Sequence, residues 1–98
     1  MLKTILFSLF ALAFFSAVSS ASNAYNEALS AYSRGNFKKA VSVLEKYVDE
    51  NPRAEAYYLL GYSYYKMKRH REAARYFGEA YLIDPALDPA KIIREKGK

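Results

Sequence analysis

The sequence predicts an all-α fold of paired, stacked helices, and three observations predict it. Apolar residues recur at helical spacing: Tyr57, Leu60, Gly61 and Tyr64 share one stripe, and Ala73 and Phe77 share another. Short turn-prone segments, Gly35-Asn36 and Lys68-Arg69, separate the stripes. Small and helix-breaking residues keep one offset along the chain: Ala28, Ala40 and Pro52 precede Gly61, Ala73 and Pro85 by the same interval. A constant interval on this scale signals an internal duplication of a helical hairpin.

The first segment stands apart from the rest. Four of the six Phe lie before residue 16. Lys3 supplies a positive start, and Thr4 to Phe15 is an apolar run interrupted only by Thr4 and Ser8. A membrane span needs about 20 apolar residues, so a run this short fits the core of a secretory signal peptide. Ser19-Ser20-Ala21 places small residues where a signal peptidase reads. Residues 1–21 are therefore expected to be a signal peptide cleaved after Ala21, with Ser19 as the next choice. The alternative is an uncleaved N-terminal anchor. Cleavage leaves 22–98 and takes away one positive charge, Lys3, from a formal net charge of +5. The remaining chain is modestly basic. The expected location is secreted or periplasmic, or membrane-anchored on the alternative.

Residues 22–98 are expected to form one domain: a first repeat over about 21–53, a second over about 54–87 and a capping helix over about 89–96. Four main helices are predicted, about 23–34, 37–50, 54–67 and 70–83. In the first pair, Gly35 can take positive φ and so end the first helix. Leu44 takes the place that Phe77 holds in the second pair. Ala24 and Ala31 leave the outer face of the first helix thinly covered.

In the second pair, Gly61 costs its helix about 1 kcal/mol relative to Ala. That cost is expected to be offset by close approach of the following helix, with Ala73 as the matching small residue. Asp84-Pro85 stops that helix. After it, Asp88 is a suitable N-cap and Pro89 a suitable first helical residue. Ala90, Ile92 and Ile93 give the capping helix an apolar side.

The order Tyr57-x-x-Leu60-Gly61-x-x-Tyr64, Ala73-x-x-x-Phe77, Pro85 resembles the tetratricopeptide repeat, with Tyr57 where Trp is usual. The first copy departs from that pattern at Glu27, where a Leu is usual, and at Ala24 and Ala31, where large residues are usual. The resemblance implies an α-solenoid whose first helices line a concave groove. It places Tyr25, Leu29 and Tyr32 of the first copy, and Tyr58, Tyr62, Tyr65 and Lys66 of the second, along that lining. Tyr suits such a surface, with large contact area, few rotors and a hydroxyl. The alternative is that these rings only fill space between hairpins. In this family a clamp for C-terminal carboxylates relies on Lys and Asn; Tyr25, Leu29 and Leu59 stand at the corresponding places, which implies that the clamp is absent.

Charge is distributed by edge. Arg34, Lys38 and Lys39 surround the first turn, and Lys66, Lys68, Arg69 and Arg71 surround the second. Stacked hairpins bring both turns to one basic edge, opposite Asp49, Glu50, Glu55, Asp84 and Asp88. Such an edge fits an acidic protein or peripheral contact with an anionic membrane, or serves only as a solvated rim. A secreted location argues against nucleic acid as a partner.

Little in the sequence supports catalysis. The chain has no Cys, which excludes disulfides, thiol nucleophiles and Cys-ligated zinc. His70, the sole histidine, stands where the first copy has Phe37 and is expected to pack at a helix start. Its neighbours Lys68, Arg69 and Arg71 repel a cation. Ser63 and Asp84 form no triad, and no Gly-rich phosphate loop is present. The expected function is a non-catalytic scaffold, without cofactor or metal, that binds a protein or peptide through the Tyr groove. The alternative is a structural subunit that forms homo-oligomers through its repeat faces.

Overall fold

A computed structural model describes residues 23–92. Residues 1–21, expected to be a signal peptide, and residues 93–96, expected in the capping helix, lie outside the described residues. The described residues form helices α1 (23–33), α2 (Phe37–Glu50), α3 (Ala54–Lys66) and α4 (His70–Ile83), with a further helical stretch, α5, over 89–92. The described residues contain no strand. The four main helices fall within one residue of their predicted bounds.

The two hairpin turns are built alike. The Asn36 N–H donates to the Ala31 carbonyl at 2.8 Å, and the Gly35 N–H to the Tyr32 carbonyl at 3.0 Å. In the second copy the Arg69 N–H donates to Tyr64 and the Lys68 N–H to Tyr65, both at 2.9 Å. This paired pattern closes a helix C-terminus through one left-handed residue. Gly35 fills that position at φ 81° and Lys68 at φ 63°. Glycine takes the conformation freely, whereas lysine adopts it under strain.

Caps define the other boundaries. The Asn36 side chain accepts from the Lys39 N–H at 3.3 Å at the start of α2. Asn51 and Asp84, at equivalent places in the two copies, end α2 and α4 with N–H bonds to Tyr47 and Ala80. Asp88 accepts from the Ala90 N–H at 3.0 Å and caps the start of α5.

The core runs continuously through both hairpins. Ala28, Ala31, Ala40, Leu44, Ala56, Leu59 and Leu60 are fully buried. Each leucine removed from water contributes about 1.5–3 kcal/mol. The helix α3 packs against both α2 and α4, so it carries the contact between repeats. Ser63 is also fully buried, and its hydroxyl donates back to the Leu59 carbonyl at 2.7 Å.

Two expectations are corrected, and the departure at Glu27 is explained. The residue facing Gly61 is Phe77: a Cβ at Gly61 would lie 2.5 Å from the ring's Cδ1 and Cε1. Ala31 is fully buried rather than part of a thin outer face. Glu27, at the register position of buried Leu60, is exposed and pairs with Lys39 at 3.3 Å, so an ion pair joins α1 to α2 where the second copy uses leucine.

Candidate functional site

The expected groove residues lie on α1 and α3, and the structure divides them by depth. Tyr65 and Lys66 are exposed at the end of α3. Tyr25, Leu29 and Tyr62 are half-buried, each packed on the core with an edge outward. Tyr25 meets Tyr47 at 5.7 Å between ring centroids, which holds α1 against α2. Tyr32 and Tyr58 are the departures: both are buried and serve as packing residues rather than open lining.

Gly61 explains much of that burial. Without a side chain there, the Phe77 ring enters the space and contacts both neighbours. It lies 6.1 Å from Tyr58 and 4.9 Å from Tyr62, edge-on to the latter at 72°. Burial pushes the Tyr32 hydroxyl above the usual tyrosine range, and proximity to Tyr62 adds to it. Of the expected lining, Tyr25, Leu29 and Tyr62 keep part of their area exposed, and Tyr65 and Lys66 keep most of it.

Equivalent aromatic pairs close the two turns. Tyr32 meets Phe37 at 5.3 Å and 66°, and Tyr65 meets His70 at 5.4 Å and 71°. Only the first pair is enclosed, since Tyr32 is 9% exposed and Tyr65 53%. His70 begins α4 and its ring meets Tyr65 as its register suggests, but it is exposed where Phe37 is half-buried. The same contrast holds on the second helices: Val48 is 6% exposed, and Tyr81, its equivalent in the next copy, is 60% exposed. In the first repeat these positions lie in the core cluster that runs through both repeats, whereas in the second they are exposed.

Of the residues expected on a basic edge, two are engaged. Lys39 pairs with Glu27, and Arg69 pairs with Glu72 at 2.8 Å. Arg69 also lies 5.5 Å over the Tyr64 ring. Arg34, Lys38, Lys66, Lys68 and Arg71 are exposed and form no ion pair among the described residues.

A tyrosine stack on the other side of α3 has no sequence-level signal. Tyr76 of α4 lies between Tyr57 and Tyr64 at 6.1 and 5.7 Å, with interplanar angles of 20° and 2°. The Tyr64 hydroxyl donates to the Glu45 carboxylate of α2. Burial first, then that bond, pushes the Tyr64 hydroxyl up to about 12. Tyr57 and Tyr64 are visible as one stripe, but Glu45 lies 19 residues away from Tyr64, and only packing joins them.

Among the described residues no group of three His, Asp or Glu side chains is placed to hold a metal ion. Nor is any described helix long and apolar enough to cross a membrane. Ser63 is enclosed and bonded to its own helix, far from the chemistry of an activated nucleophile.

A family model described as anaphase-promoting complex, cyclosome, subunit 3 matches residues 8–80. No curated protein matches the chain.

Proposed function

We propose a function from one premise: this chain belongs to the anaphase-promoting complex, cyclosome, subunit 3 family, a tetratricopeptide-type repeat family. It is a non-catalytic scaffold for protein–protein interaction, and its ligand is a peptide or protein segment laid across α1 and α3. The observation that carries this reading is the exposure of Tyr65 and Lys66 and the partial exposure of Tyr62, Tyr25 and Leu29 on the first helices of the two hairpins. Tyrosine offers broad contact and a hydroxyl at low entropic cost, and it favours aromatic and arginine-bearing segments.

The test replaces Tyr65 and Lys66 by Ala together, leaving buried Tyr32 and Tyr58 intact. Crosslinking in the native host identifies the captured segment, and the variant, with unchanged circular dichroism, loses it. Capture at the parent level would overturn the groove.

The location outside the cytoplasm rests on residues 1–21, with Lys3, the short apolar run and Ser19-Ser20-Ala21. The family match begins at residue 8, inside that run, and favours a second reading in which the segment stays with the domain. N-terminal sequencing of the protein from its host separates the two: a start at Ser22 supports a cleaved leader, and an intact N-terminus supports retention. Self-association through the open face of the second repeat is the structural alternative, supported by the exposure of Tyr81 beside Leu82 and Ile83.

A further inference from the structure

We propose that the turn edge carries a second docking site, distinct from the tyrosine groove, for an acidic peptide segment bearing one bulky apolar side chain. The two hairpin turns meet there around an open pocket of about 450 Å³, lined by Gly35, Asn36, Phe37, Lys38 and Met67. Its apolar wall comes from Phe37 and Met67, both half-buried. The Phe37 ring is fixed edge-on to Tyr32 at 5.3 Å. Met67 is unbranched and polarizable, so its thioether can adapt to a side chain placed against it.

The rim is cationic and uncompensated. Arg34 and Lys38 flank the first turn, Lys68 follows Met67, and none forms an ion pair among the described residues. Glu27 and Glu72 are held by two other cations, Lys39 and Arg69. No acidic residue lines the pocket. Cations gathered in this way repel one another and raise the local concentration of an anionic ligand.

The lining decides which anionic ligand fits: the apolar wall is confined to Phe37 and Met67, enough for one bulky side chain such as Phe or Leu, and cations stand on both turns around it, where carboxylates on either side of that chain would meet Arg34, Lys38 and Lys68. Gly35 lines the pocket, and nothing lies within 4 Å of where its Cβ would be.

The experiment uses the full chain and a fluorescein-labelled peptide of Glu residues around a central Phe, read by anisotropy. Binding is expected, weakening as salt is added. Replacing the central Phe by Ala in the probe, or making the protein variant Lys38→Glu with Lys68→Glu, should each weaken it about tenfold. Lys38→Gln with Lys68→Gln provides a milder variant if the reversal disturbs folding, and circular dichroism reports that. Tyr65→Ala should leave this binding unchanged, which separates the site from the groove. Equal binding of the Ala probe, indifference to the charge changes, or no binding would overturn the proposal. So would capture of phosphatidylserine-containing vesicles by a protein that ignores the peptide.

Discussion

The Phe77 ring of α4 occupies the place of a side chain at Gly61 of α3, with Cδ1 and Cε1 each 2.5 Å from where a Cβ would stand. Any substitution at Gly61 must push that ring away from Tyr58 and Tyr62. Overpacking of this kind typically costs about 1–3 kcal/mol, and Ala regains about 1 kcal/mol of helix propensity. Gly61→Ala is expected to lower the melting temperature by several degrees and Gly61→Leu by more, on about 4–8 °C per kcal/mol for a small domain. Adding Phe77→Leu to Gly61→Ala should reduce the penalty of the Ala substitution, because the ring it meets is gone. A Gly61→Leu variant that melts above the parent would mean that the ring does not fill this space.

Lys68 holds the left-handed turn position that Gly35 holds one repeat earlier. A non-glycine residue there costs about 1–2 kcal/mol, part of which glycine returns by its greater freedom in the unfolded chain. Lys68→Gly should therefore stabilise the domain by roughly 0.5–1 kcal/mol, and Gly35→Ala should destabilise it. Urea titrations with unchanged slope would check both signs.

The bond from Tyr64 to Glu45 links α3 to α2, and it predicts a response to alkali. The Tyr64 hydroxyl is raised from 10.0 to about 12 in the folded protein. A raised value means that the folded state holds the proton more tightly than the unfolded chain. Its contribution is complete below about pH 10 and is lost as pH rises through 12. Denaturation followed between pH 9 and 12 should show this loss, and Tyr64→Phe should flatten it. A parent profile no steeper than that of Tyr64→Phe would contradict the assignment.

Val48 and Tyr81 test the open end of the stack. Val48→Ser removes apolar contacts from an enclosed site and should cost more than about 1 kcal/mol. Tyr81→Ser, at the equivalent exposed site, should change monomer stability by no more than about 0.5 kcal/mol. A large loss at Tyr81 that grows with protein concentration would reveal self-association through this face.

The sequence by itself determined the helices, their turns and their duplication. Those features are local or periodic: Pro52 and Pro85 stop helices wherever they stand, and the spacing of Tyr57, Leu60 and Tyr64 defines a face without reference to anything else. Only the tertiary structure decided which tyrosines are available. Tyr58 and Tyr62 belong to one helical face, yet Phe77, entering through the gap at Gly61, buries the first and leaves the second half-open. Tyr32 and Tyr65 are equivalent in register, and their different exposure depends on whether another hairpin lies over them. The pocket between Phe37 and Met67 and the bond from Tyr64 to Glu45 join separate helices. Periodicity specifies the direction a side chain takes from its own helix; what it meets is set by the packing of a neighbouring helix, whose position no local pattern encodes.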